Sequence, residues 1–386
     1  MDFTGYGVVD SHCHAFAPER EDKPFEQYFT LADHHIPKKD VESTFLYRRV
    51  IKELSRVLGV EGSSDEVVDE RNKRYRGDPE GYIRMLFDDA GIDTLLIDTG
   101  YPSELSGGYS VDLEGFGRMV HRQVREIFRI EILSLELLRR GLTFDAIINE
   151  YTGRMEEVVG RGAVALKSVI TYRTGLEVRR RTDKEVTETY DTFTDKTNTG
   201  LDAREVIGLK TGYVKTLLDH FVLLAAECSA RLRVPFQIHV GGGDVPGLDL
   251  RLSKPSLLHE LVNDKAVREA KIVLIHGGYP HIEAAGFMVN TYPNIYLDLS
   301  QTNPFISIGL KGKLHSLLEM APTTKIMHGS DGYNVPELSW IAAIQAKMAL
   351  VGVMGDLMAG GDIDREGAEV VAMQFLSENA KELYGL

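Results

Sequence analysis

Eight short apolar runs recur along this chain, and stretches of helical periodicity separate many of them. The runs are GVVDSH (7–12), TLLIDT (94–99), EIFRIEIL (126–133), AVALKSV (163–169), PFQIHV (235–240), KIVLIH (271–276), NIYLDLS (294–300) and TKIMHG (324–329). Each has the length and the β-branched or aliphatic content of a buried strand. Between them, Gly212–Arg233 sets Leu217, Leu218, Phe221, Leu224 and Ala225 at helical spacing, and Gly332–Val351 reads as a second amphipathic helix. Strand and helix in alternation predict a parallel sheet. Eight such units predict a closed (β/α)8 TIM barrel, whose active site lies at the C-terminal ends of the strands. A doubly wound sheet is the competing α/β architecture, but no Gly-rich dinucleotide loop follows the first strand.

Two segments are too long to be simple connections. Residues 17–90 contain helix-like stretches at Phe45–Leu58 and Pro79–Ala90 around a polar stretch at Gly59–Asp78, which together read as a helical insertion over the barrel mouth. Residues 175–211 are polar, rich in Thr, Asp and Arg, and read as a mobile loop or lid. The whole of 1–386 is expected to form a single barrel domain with the insertion at about 17–90.

A net charge of −14 argues against a nucleic-acid surface. No apolar run reads as long enough to span a membrane, and the first residues lack a basic-then-apolar leader. With Cys13 and Cys228 as the only cysteines there is no disulfide framework, so a reducing cytoplasm is the default. The expected partner is a small-molecule substrate, with homo-oligomerisation left open.

Chemistry-bearing residues end, or closely follow, five of the runs. In SHCH, strand alternation puts His12 and His14 on one face and Cys13 on the other, a pairing that suits a shared cation better than two separate structural histidines. His239 and His276 each precede glycines, in HVGGGD and HGGYP, where backbone can approach a ligand closely. Asp331, in GSDG, is either a metal ligand and proton acceptor or a helix cap. His328 ends the same run and reads as a supporting residue or a substrate contact. Lys167 falls on the face shared by Ala163 and Ala165; a salt bridge, a substrate-binding cation and a carbamylated ligand all remain open for it. Tyr172 and Arg173, in TYRTG, are the candidate substrate contacts, with Arg173 as a clamp for a carboxylate.

This order of residues resembles the amidohydrolase superfamily of metal-dependent barrel hydrolases. That family carries HxH on strand one, often a carbamylated lysine on strand four, histidines on strands five and six, and an aspartate on strand eight. The resemblance spans residues 7–340. Within it FQIHVGGGD, LIHGGYPHIEAAGFMVNTYPNIYLDLSQTNPF and GSDGYNVPE resemble the branch that includes domains fused to glutamine synthetase-like modules. It implies that His12, His14, His239, His276 and Asp331 hold one or two divalent ions, zinc being the expected metal, with carbamylated Lys167 bridging a binuclear site. It also implies a metal-activated water that cleaves an amide or related C–N bond, with Asp331 moving the proton. Decarboxylation or lactone hydrolysis is the alternative within the same superfamily, and a non-catalytic metal-binding protein is a third reading.

Overall fold

The structure is a computed structural model that describes residues 1–18, 23–32, 34–104, 109–110, 112–244 and 248–386. Its strands are β1 (Val8–Cys13), β2 (Ile92–Asp98), β3 (Gln123–Arg129), β4 (Ala165–Ser168), β5 (Phe236–His239), β6 (Ile272–Ile275), β7 (Ile295–Asp298) and β8 (Ile326–Met327). They follow the chain in one eight-stranded sheet, the strand order of a (β/α)8 barrel. The registered pairs are parallel, as Asp10↔Leu95, Lys167↔Gln237 and Leu297↔Ile326 illustrate. Residues of β1, β2, β5 and β6 are buried nearly throughout, so these strands read as apolar runs rather than alternating ones, whereas β3 buries only Ile127.

The chain divides into two compact units. One comprises Met1–Arg125, Gly243–Pro246 and Leu297–Leu386, the other Glu126–Gly242 and Gly247–Tyr296. In the first unit the insertion is fully helical, with helices Lys38–Glu42, Phe45–Leu58, Ser64–Gly77 and Pro79–Ala90. The polar stretch Gly59–Asp78 is thus mostly helix. Ser63 starts it with a reciprocal capping box to Glu66, and Asp78 caps the next helix with Pro79 in its first turn.

These helices pack on Pro336–Gly360, a 25-residue helix buried along most of its length. Arg71 and Glu337 are both fully buried and form a bidentate pair, Nε–Oε1 2.6 Å and Nη2–Oε2 3.1 Å, to which Tyr82 adds a hydroxyl donor. Arg71 also lies over the rings of Phe25 and Tyr75. Lys347 of the same helix donates to the carbonyls of Thr4, Tyr6 and Ala90. Pro336–Gly360 is long and apolar enough to cross a membrane by length and composition, which corrects the reading that no such run exists. It is apolar on all sides because its neighbours enclose it.

In the second unit, the run EIFRIEIL changes structure midway: β3 ends at Arg129 and the helix Ile130–Arg139 begins. Residues 175–211 are not a loop. They hold the helices Asp183–Asn198 and Ala203–Gly208, each started by a capping box, Thr182 with Glu185 and Asp202 with Glu205. Val186, Tyr190 and Phe193 bury one face of the first, and the Tyr190 hydroxyl donates to the Leu142 carbonyl. The helix Gly212–Leu232 then leads into β5.

Candidate functional site

In the first unit, His12 lies within β1 and His14 directly follows it, both buried. Asp331 follows β8, and its backbone N–H donates to the His12 carbonyl while His14 N–H donates to the Gly332 carbonyl. These crossed bonds bring the three side chains together. Asp331 Oδ1 lies 3.1 Å from His14 Nε2 and 3.3 Å from His12 Nε2. The Asp331 backbone sits at φ 53°, in the left-handed region that few non-glycine residues adopt. Gln301 does the same at φ 58° and donates from Nε2 to Asp331 Oδ2 at 3.0 Å. Such conformations concentrate where packing forces a side chain into a working position.

The hydrogen bonds of His14 fix its tautomer. Its Nδ1 lies 2.9 Å from the Tyr101 carbonyl and 3.3 Å from that of Asp98, so the ring proton belongs on Nδ1. The lone pair on Nε2 then faces a carboxylate oxygen at 3.1 Å, with a second imidazole nitrogen 3.3 Å from that same oxygen. Three electron-rich atoms held this close call for a positive charge among them, as a proton or a metal ion. His12, His14 and Asp98 also offer ligand atoms within 4.8 Å of one another. The donor set fits a divalent cation.

Below these residues lies a buried polar layer. Ser11 donates to Asp298, Asp298 accepts from Ser300, and Ser330 donates from both N–H and hydroxyl to Asp10. Burial raises the Asp10 carboxyl to about 7, against the pull of its Ser330 bonds. Tyr101 and Tyr333 form an aromatic wall beside His14, and burial holds the Tyr333 phenol protonated well above its usual range.

In the second unit, His239 is the last residue of β5 and His276 the first after β6. Their ring centroids are 4.2 Å apart, and Tyr172 lies 4.4 Å from His239 on its other flank. The His239 Nε2 points to the Gly242 carbonyl at 2.9 Å, which puts its proton there and leaves Nδ1 as the donor atom. Gly241 allows the loops after β5 and β6 to touch: at φ 82°, a Cβ there would fall 2.5 Å from the carbonyl carbon of Gly278. Lys167, third in β4, is buried to 2% exposure. Tyr172 and Arg173 occupy the short helix Ile170–Arg173.

Two results add to the sequence reading. His328 is fully buried, with its ring 6.3 Å from that of Phe375 and no hydrogen-bond partner for either ring nitrogen among the described residues. Burial pulls it down to about 3, so the ring is neutral and apolar in effect. Its ring packs against that of Phe375. Conversely, Asp98, Gln301 and Tyr101 join the His14–Asp331 cluster although the sequence reading did not select them. Asp98 ends an apolar run just as the chosen residues do.

Residues 217–386 match the amidohydrolase family model. The chain is 27% identical over 408 residues to the protein fluG of Emericella nidulans, covering 98% of this chain and 46% of that protein. It therefore spans about half the length of the curated relative it matches. Among solved structures, a chain described as a metal-dependent hydrolase from Lactobacillus casei superposes with a TM-score of 0.83 at 24% identity, over 100% of this chain and 97% of that one. A uronate isomerase from Thermotoga maritima gives a TM-score of 0.65 at 15% identity, over 99% and 95%. These likenesses show the barrel fold.

Proposed function

We propose that this chain is a metal-dependent enzyme of the amidohydrolase superfamily, whose family model matches residues 217–386, and that it hydrolyses an amide or related C–N bond of a small, carboxylate-bearing substrate. The observation that supports this best is the pair of imidazole nitrogens facing one oxygen of Asp331, a set of donors short of a positive charge. By the superfamily's ligand order, His12, His14, Asp331, His239 and His276 are the proposed metal ligands, with carbamylated Lys167 as a further ligand and zinc as the ion. A divalent cation supplies Lewis acidity, acidifying water and polarising the carbonyl under attack.

The side chains do the rest. Asp331, its Oδ2 fixed by Gln301, is aimed to take the proton of the attacking water and return it to the departing nitrogen. The carbonyls of Asp98 and Tyr101 hold His14 in one tautomer, so it stays a donor rather than a competing acid. Arg173 supplies a cation for the substrate carboxylate, and Glu131 is the acid whose charge acts on it.

The test combines elemental analysis with turnover. His12→Ala and His276→Ala should each lose metal and activity together, and a chelator should abolish amide hydrolysis until metal is restored. Full metal occupancy in both variants would reject the ligand assignment. Metal-dependent release of CO2 rather than an amine would replace hydrolysis with decarboxylation.

A further inference from the structure

The GSDG turn that follows β8 holds more than one side chain with a task. Asp331 is taken by the cluster with His12 and His14, but Ser330 and Asp10 are fully buried and have had no part in the mechanism. Both lie in the first unit. The Ser330 N–H donates to Asp10 Oδ1 at 2.9 Å, and its hydroxyl donates to Asp10 Oδ2. The same hydroxyl oxygen accepts from the Gly332 N–H at 2.8 Å and lies 3.0 Å from the Ser339 hydroxyl. A serine hydroxyl has one proton and two lone pairs. With the proton committed to Asp10, the Gly332 N–H and the Ser339 hydroxyl take the two lone pairs, and the group is fully used.

The bond from Gly332 back to Ser330 closes a turn whose middle residue is Asp331. That residue sits at φ 53°, which an aspartate without such ties readily leaves. The far side of the turn is pressed onto the helix Pro336–Gly360: a Cβ on Gly332 would fall 2.2 Å from Ser339 Oγ. The turn is also tied to β1, through Asp331 N–H to the His12 carbonyl and His14 N–H to the Gly332 carbonyl. Rotation of the turn would therefore swing Asp331 Oδ1 away from the two imidazole nitrogens, which lie 3.1 and 3.3 Å from it.

We propose that Ser330 and Asp10 are positioning residues for the metal centre. Asp10 orients the Ser330 hydroxyl, the hydroxyl holds the turn, and the turn aims Asp331 at the space it shares with His12 and His14. Neither residue is a ligand; each acts through Asp331. Two acceptor oxygens are what the arrangement asks of Asp10. An asparagine there would set its NH2 against one of the two Ser330 donors, whichever way the amide faced. This role rests on the reading of the His12, His14 and Asp331 cluster as a metal site.

The experiment strips the purified protein with a chelator and adds back Co(II), whose visible absorption reports the geometry of its ligands. Ser330→Ala and Asp10→Asn keep His12, His14 and Asp331. Both should bind Co(II) about 10- to 100-fold more weakly than the parent, as loss of a contact that supports a ligand does, and with a shifted visible band. Ser229→Ala removes a buried hydroxyl elsewhere, one bonded to the Ala226 carbonyl, and should lower the urea midpoint with no change in the cobalt spectrum. Hydrogen exchange of the metal-free protein gives a second readout: Ser330→Ala should exchange faster than the parent over residues 329–334. Should either variant not fold, Ser339→Ala removes only the outermost donor and should give a smaller spectral shift. Parent-like affinity and spectrum in the variants that fold, even with a lowered urea midpoint, would overturn the proposal. A parent that takes up no Co(II) would refute the metal reading; faster exchange over 329–334 in Ser330→Ala would then still support the clamp on the turn, and unchanged exchange would overturn it.

Discussion

Asp331 is useful because it is not free to move. Its backbone strain, its bond to the His12 carbonyl and the Gln301 amide together fix both carboxylate oxygens. Gln301→Leu removes only the outer support, so it should lower metal affinity or activity by about 10- to 100-fold, measured by metal titration and steady-state kinetics. His328 gives the opposite case. Its ring nitrogens have no partners to lose, so His328→Phe should leave turnover nearly intact. Its effect belongs to acid stability. A buried histidine at about 3 in the folded state and near 6.5 unfolded lets the unfolded chain bind the extra proton, so stability is full above pH 6.5 and falls as the pH drops toward 3. The slope is about 1.4 kcal/mol per pH unit. Urea titrations at pH 7 and pH 5 should show His328→Phe losing less on acidification than the parent; equal losses would reject this. The residue scale also shows what was legible. Histidines and an acid at strand ends can be read from sequence because strand phase and chemistry coincide there. Gln301 and Tyr101 could not be, because their part depends on a partner far along the chain.

The helices between strands were legible where they are amphipathic and obscure where they are polar. Gly212–Leu232 announces itself through its apolar spacing. Ser64–Gly77 has only Val67, Arg71 and Tyr75 buried, and its main anchor is a charge, so a search for apolar periodicity passes over it. The helix Asp183–Asn198 carried readable signals, the Thr182 and Glu185 capping box and the spacing of Val186, Tyr190 and Phe193, but its Thr, Asp and Lys content outweighed them. Two predictions belong at this scale. Thr182→Ala should cost about 1 kcal/mol, felt first as faster hydrogen exchange over residues 183–198. Arg71→Met leaves Glu337 buried without its countercharge and should cost about 3 to 5 kcal/mol in a denaturant titration. Replacing both, as Arg71→Met with Glu337→Leu, should restore much of the loss. A double variant no better than the single one would mean that the pair acts through packing alone.

At the scale of the whole molecule, the barrel was readable because eight buried strands leave eight apolar runs, whereas the division into two compact units left no mark in composition. The units differ in how they are cut from the chain. The second is nearly continuous, while the first is assembled from three stretches. Lys347 is one of its fasteners, joining the carbonyls of Thr4, Tyr6 and Ala90 to the helix Pro336–Gly360. Lys347→Met would take the donor from three carbonyls, of which the buried one of Ala90 is worth about 1 to 3 kcal/mol, and should release the segment before β1 to limited proteolysis; an unchanged digestion pattern would count against this. The same discontinuity sets a timetable. Asp331 follows His14 by 317 residues, so at roughly 5 to 20 residues per second a ribosome needs roughly 15 to 60 s to deliver the carboxylate after the imidazoles. During that interval the nascent histidines lack the oxygen that would complete their cluster. On the proposed reading, metal capture is therefore a closing event of biosynthesis, and an unfinished chain is barred from charging its centre.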